Sequence, residues 1–165
     1  MAKKVKDNNN VVIVPAFTGL GAPYWDMDAR GIITGLTRGS NRNHIVRAAL
    51  ESIALQVKDI LDAIFQDLDI NLPILKVDGG ACANNFLMQF QADIIQGTID
   101  RPVNIESTAL GAGMLAGLAI GFWSNSRELQ NVRKTDILFT DKMTNTERSA
   151  LLEAWKIAVA QAIIT

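Results

Sequence analysis

The stretch from Leu72 to Phe90, LPILKVDGGACANNFLMQF, constrains the fold more than any other part of the sequence. A short apolar run of Ile74, Leu75 and Val77 starts behind Pro73 and breaks at Asp78-Gly79-Gly80. From about Asn84 the pattern turns helical, with Phe86, Leu87 and Phe90 on one face and Asn85 and Gln89 off it. Strand, glycine turn and helix in that order bring bare backbone to the carboxyl end of a sheet. There the free N–H groups of the next helix can receive a phosphate or a purine.

The flanking sequence alternates in the same way. Val11 to Val14 is an apolar β-branched run suited to a buried strand, and Pro15 closes it. Ala16 to Asp28 reads as a loop punctuated by Gly19, Gly21 and Pro23, with Tyr24-Trp25-Asp26 at its centre. Those aromatics serve either as a substrate wall or as a plug that holds the loop down. Gly31 to Leu36 is a second strand, and the polar turn Thr37 to Asn43 delivers the longest helix. Its apolar positions run from Ile45 to Ile64 at helical spacing over about six turns. Asn41 or Asn43 can cap it. The helix after the glycine turn ends near Gln96 with Gly97 as its cap. Ile99 to Ile105 is a fourth strand, and Pro102 places it at an edge or an irregular start.

Ser107 or Thr108 is expected to cap a small-residue helix, Ala109 to Ile120, whose Gly113, Ala116 and Gly117 suit close approach in a packed core. Asn125 and Glu128 form a capping pair, Lys134 to Asp141 suits a short edge strand, and Thr144 with Glu147 forms a capping box for a last helix to about Ile163. The alternation predicts an α/β fold with a mainly parallel sheet flanked by helices and at least two right-handed crossovers. The sheet is too small for a complete doubly wound domain, so the pattern fits part of a larger one.

A chain of 165 residues fits one domain, and such a domain buries roughly 70% of its unfolded surface. The net charge of −1 gives no electrostatic case for nucleic acid or an acidic membrane. The single cysteine, Cys82, cannot form an internal disulfide, which favours a reducing, cytoplasmic setting. Beside the glycine turn it reads as a small apolar residue at a helix start rather than a reactive thiol. Ala109 to Trp123 is too short, and too interrupted by glycine, for a membrane span. Residues 1–10 read as a flexible, solvated lead-in without the form of a signal peptide. His44, the only histidine, has no second ligand or triad partner suitably placed and reads as a surface or capping residue. Glu51 reads as a structural acid partnered by Arg47 one turn earlier.

The glycine turn is not the dinucleotide fingerprint G-x-G-x-x-G, and Asp93, the acid nearest the required spacing, falls inside the next helix. No G-x-x-x-x-G-K-[ST] is present. What remains is a turn suited to a mononucleotide, with Asn84 on the first helical turn as hydrogen-bond partner.

Three stretches together resemble the FGGY family of carbohydrate kinases: PAFTGLGAPYWDMDARG (Pro15 to Gly31), GIITGLTRGSNRNHIVRAALE (Gly31 to Glu51) and VDGGACANNFLMQFQAD (Val77 to Asp93). The match continues through TALGAGMLAGLAIGFW (Thr108 to Trp123) and covers about residues 11–160. The resemblance implies the actin-like ATPase fold, two ribonuclease-H-like domains around a cleft, with residues 11–165 an incomplete carboxyl-terminal portion of the second. It implies ATP with Mg²⁺ bridging its phosphates, and phosphoryl transfer to a sugar or glycerol hydroxyl, with a carboxylate as base. Gly80 and Asn84 match positions that contact the nucleotide; Gly79 and Ala81 follow by adjacency.

The catalytic aspartate, the acceptor-binding residues and the phosphate loops belong to segments upstream of Val11. No catalytic or metal-binding residue is therefore assigned, and the fragment alone is expected to be inactive. The form of the Pro15–Gly31 loop favours glycerol over xylulose or ribulose as acceptor. A pentulose kinase fragment and a non-enzymatic nucleotide-binding module are the alternatives. Members of the family are commonly dimers or tetramers, so a homo-oligomeric parent is expected.

Overall fold

The computed structural model describes residues 1–68 and 74–164. Leu72 and Pro73, at the head of the strand–turn–helix stretch, lie outside the described residues. The elements run β1 (Val12–Val14), β2 (Ile32–Thr34), α1 (Arg42–Leu68), β3 (Ile74–Lys76), α2 (Asn85–Ile95), β4 (Thr98–Pro102), α3 (Ser107–Ala119), β5 (Thr135–Phe139) and α4 (Asn145–Ile164). Short 3₁₀ turns cover Ala2–Lys4, Gly80–Ala83 and Glu128–Asn131.

The α/β architecture with flanking helices is as expected, but parallel pairing is confined to one crossover. β3 and β4, joined through α2, are parallel, with Leu75 opposite Ile99. β5 adds to the far side of β4 antiparallel, and β1 and β2 form a separate antiparallel ribbon. The reason lies in the connections. The loop between β1 and β2 contains no helix and folds back on itself, Leu20 and Asp26 exchanging N–H···O bonds of 2.6 and 2.9 Å. A helixless return reverses the strand, whereas a helical crossover preserves its direction. The long helix α1 links two different hydrogen-bonded sheets. The expected crossover through it within one sheet is therefore absent among the described residues.

α1 and α2 pack on each other, α1 and α4 pack on β1, and α2 lies over β4 and β5. One core joins Val14, Leu55, Leu87, Ile94, Ile99 and Trp155. Several local expectations hold. Asn41 caps α1, its Oδ1 accepting the Asn43 N–H at 2.9 Å, and His44 Nδ1 accepts the Asn41 N–H at 3.1 Å. Thr144 and Glu147 form their reciprocal box at the start of α4. Glu51 is buried in α1 and held by Arg47 Nε at 2.7 Å and by Asn8 Nδ2 at 2.8 Å.

Four details differ. Ala2 is buried, and Arg47 Nη1 donates to the Val5 and Lys6 carbonyls, so part of the expected solvated lead-in is docked on α1. β4 is the central strand, not an edge; Pro102 is tolerated because it stands at the strand's end, where the register shifts. The left-handed position ending α2 falls on Gln96 (φ 54), one residue before Gly97, and both N–H groups reach the Ala92 carbonyl. Neither Ser107 nor Thr108 caps α3, because the helix begins at Ser107 and the cap position belongs to Glu106.

The small residues of α3 also fail to pack as expected. Only Gly117 is buried in that helix, and it faces the Trp123 ring rather than another helix.

Candidate nucleotide-binding turn

The turn after β3 is anchored from below and open above. Val77 N–H donates to the Asp100 carbonyl at 3.1 Å and Gly79 N–H to the Ile105 carbonyl at 2.8 Å, which ties the turn to β4 and to the approach to α3. Gly79 has φ 79, a left-handed conformation that side chains disfavour. Gly80 follows at the surface, and a Cβ there would meet nothing in this chain within 4 Å. Residues Gly80 to Ala83 wind into one 3₁₀ turn closed by Cys82 N–H to Gly79 O and Asn84 N–H to Ala81 O, both 3.1 Å.

Cys82 points inward from this turn and is buried. Burial pushes its thiol up, against a smaller pull from Arg101. A raised thiol is a poor nucleophile, so Cys82 is the anchor that its apolar reading predicts. Ala81 is exposed beside Gly80.

Asn84 caps α2. Its Oδ1 accepts the N–H groups of Phe86 at 3.0 Å and Leu87 at 3.3 Å. The cap commits the oxygen and leaves the exposed Nδ2 as a donor. The expectation that Asn84 can donate or accept thus narrows to donation. The structure brings all four residues to one corner, with Gly80, Ala81 and Asn84 exposed and Gly79 half-buried.

Next to that corner is a groove of about 620 Å³. Val46, Ala49, Leu50 and Ile53 of α1 line it together with Asn84 and Phe86, and Met1, Ala2 and Lys3 of the docked amino terminus close its other side. The sequence reading missed this apolar wall. Its signal was the width of the apolar stripe on α1: residues 46, 49, 50 and 53 repeat at helical spacing, beside the core positions Ala48, Ala54 and Leu55.

Other candidates fall outside this corner. Tyr24 is the plug of its loop: its hydroxyl donates to Asp59 Oδ2 at 2.9 Å, and Trp155 Nε1 donates to the same oxygen at 2.7 Å. Burial, then Asp59, pushes the Tyr24 hydroxyl far above its ordinary range. Trp25, by contrast, is 76% exposed. Asp26 serves the backbone, its Oδ1 accepting from Asp28 and Ala29 N–H at 2.8 and 3.0 Å. Among the described residues no group of three or more His, Cys, Asp or Glu side chains could hold a metal ion. No helix among the described residues is long and apolar enough to cross a membrane.

Residues 1–120 match the model of the FGGY family of carbohydrate kinases, C-terminal domain. The chain is 60% identical over 161 residues to glycerol kinase of Petrotoga mobilis, covering 98% of this chain and 32% of that one. It is 57% identical to glycerol kinase of Alkaliphilus metalliredigens, covering 99% and 33%. The chain therefore spans about a third of the length of the curated relatives it matches. The crystal structure of Plasmodium falciparum glycerol kinase with ADP superposes with a TM-score of 0.87 at 39% identity, over 99% of this chain and 33% of that one. Gluconate kinase from Lactobacillus acidophilus shares the fold, with a TM-score of 0.76 at 24% identity over 98% and 33%.

Proposed function

The chain belongs to the FGGY family of carbohydrate kinases, and on that premise we propose that it is a carboxyl-terminal portion of the second actin-like domain of an ATP-dependent glycerol kinase. In that enzyme a glycerol hydroxyl attacks the γ-phosphorus, the bond from that phosphorus to the β,γ-bridging oxygen breaks, and the hydroxyl proton passes to a carboxylate. That carboxylate, the glycerol contacts and the phosphate loops lie on residues this chain does not carry, so the isolated chain is inactive. Mg²⁺ travels with the nucleotide phosphates. A cytoplasmic homo-oligomer is the expected setting.

The share contributed here is the adenosine side. One observation carries it: Asn84, an exposed residue, spends its oxygen on capping α2 and keeps its Nδ2 as a donor, beside the exposed Gly80 and a largely apolar groove. A donor, bare backbone and an apolar wall suit a flat nitrogen heterocycle joined to a sugar. The uncovered α3 supports an incomplete domain: its Leu115 is 70% exposed, and Ile120, just past its end, 81%. So does the high identity to glycerol kinases over a third of their length.

The decisive variant is Gly80→Val in the kinase that contains this chain. A Cβ at Gly80 meets nothing of this chain within 4 Å, so the variant is expected to fold, and glycerol affinity serves as the control for a loss confined to the nucleotide. We expect ADP affinity measured by calorimetry to fall about tenfold or more, roughly 1.4 kcal/mol, while glycerol affinity stays within about twofold. Unchanged ADP affinity would remove the turn from the site.

A further inference from the structure

We propose that Arg101 is a positioning residue for the nucleotide turn, gripping the Gly80–Ala83 backbone from β4 and oriented by Asp136. The proposal rests on the assignment of that turn to the nucleotide. Arg101 is only 9% exposed, which is rare for an arginine unless it is paired. It stands where the β4–β5 register shifts between Arg101 and Pro102. Such an irregularity re-aims a side chain out of the regular alternation.

The guanidinium divides its donors between two jobs. Nε and Nη2 both donate to Asp136 Oδ2, at 3.0 and 2.8 Å. Nη1 points the other way, donating to Asn85 Oδ1 at 2.6 Å and lying 3.3 and 3.4 Å from the Cys82 and Ala83 carbonyls. The Phe139 ring lies under the cation, 5.3 Å from its centroid. Cys82 and Ala83 precede Asn84, and Asn85 follows it. Arg101 therefore fixes both sides of the residue whose Nδ2 remains a donor, without touching that amide.

This is a task for arginine. The fork is planar, so committing one edge to Asp136 dictates where Nη1 lies. A lysine keeps the charge but has no second edge. The carbonyls of Cys82 and Ala83 end a 3₁₀ turn that does not continue, and the cation faces both while the buried Cys82 carbonyl gains a donor.

The test uses the complete kinase with Arg101→Lys, Arg101→Ala and Asp136→Asn, with Gly80→Val as the reference. Arg101→Lys should raise the Kd for ADP about tenfold, as expected for one charge-assisted contact, and leave glycerol affinity within about twofold. Asp136→Asn keeps an acceptor but loses its charge, and should raise it about threefold. Added guanidinium ion should restore part of the ADP affinity that Arg101→Ala loses, which a general loosening of the fold does not predict.

If Gly80→Val weakens ADP but Arg101→Lys and Asp136→Asn bind it like wild type, the positioning role is wrong and the nucleotide turn stands. If all bind ADP like wild type, the nucleotide reading itself fails. Should the Arg101 variants not fold, Asp136→Asn decides: unchanged ADP affinity in a folded protein overturns the proposal. Loss of the folded state there overturns it too, because the pair would then hold the domain rather than the turn.

Discussion

Two helices of this chain each follow a β-strand, yet meet opposite fates. α2 buries seven of its eleven residues, whereas α3 buries only Gly117 of thirteen. α3 is nonetheless the more uniformly apolar, STALGAGMLAGLA against NFLMQFQADII. α2 carries polar residues that do specific work: Gln91 Nε2 donates to the Ala54 carbonyl at 3.2 Å, and Asp93 Oδ1 accepts the Lys142 N–H at 2.7 Å. Those bonds weld it to α1 and to the approach to α4. A helix that is apolar on every side ordinarily lies in a core, and α3 has no such cover among the described residues. The difference teaches that apolar content states a demand for a partner, while polar residues with matched acceptors identify one already present.

The sharpest break of that comparison is a pair of truncations. Leu87→Ala removes a buried side chain from the core and should cost about 3 kcal/mol; Leu115→Ala, at an exposed site, should cost under about 0.5 kcal/mol. Urea unfolding followed by tryptophan fluorescence reads both. Equal losses would mean that α3 is packed in the folded chain. Repeating Leu115→Ala in the complete kinase proposed above sharpens the point: a cost there of about 2 kcal/mol would show that residues outside this chain cover α3.

Within α3 the glycines should differ in sign. A Cβ at Gly117 would run into the Trp123 ring, while one at Gly113 meets nothing within 4 Å. Gly117→Ala should destabilise by about 1 kcal/mol as the ring is displaced, and Gly113→Ala should stabilise by up to about 1 kcal/mol through helix propensity alone. Thermal unfolding of the two variants checks this. Stabilisation by both would show that the Trp123 contact has no energetic weight.

The same contrast explains what the sequence could reveal. The turn at Gly79-Gly80 and the caps at Asn41 and Thr144 are local, whereas the cap at Asn84, read from sequence only as a ligand partner on the first helical turn, emerged from the structure. Each of the former depends on residues within four positions and was readable from spacing. Strand direction was not local. β2 returns antiparallel because Leu20 and Asp26 close a loop on themselves, and no periodicity encodes that closure. Nor was the role of Arg101 readable. Its partners Asp136, Asn85 and Cys82 lie 35, 16 and 19 residues away. The groove beside Asn84 was half legible, since the stripe on α1 was visible but its partition between core and open face was not.

Burial also sets the sign of the smallest effect, at two glutamates that each answer a partner nearby in sequence. Glu51 is buried, and burial pushes its carboxyl above the ordinary value of 4.5 despite the opposing pull of Arg47 and Asn8. Glu147 is exposed at the head of α4, and the Thr144 hydroxyl and N–H draw its carboxyl below the same value. A carboxyl raised on folding contributes stability that is full below the unfolded pKa and is lost as pH rises through the folded one. A lowered carboxyl contributes stability that is full above the unfolded pKa and is lost as pH falls through the folded one. Glu51→Gln should therefore flatten the decline of the urea midpoint as pH rises from 4.5, and Glu147→Gln should flatten its decline as pH falls below 4.5. The slope against pH, rather than the midpoint itself, is the readout, because Glu51→Gln also weakens the Arg47 contact at every pH. If Glu51→Gln altered the acid limb in the manner of Glu147→Gln, pairing with Arg47 would outweigh burial at Glu51, and the contrast between covered and open positions would not extend to its charges.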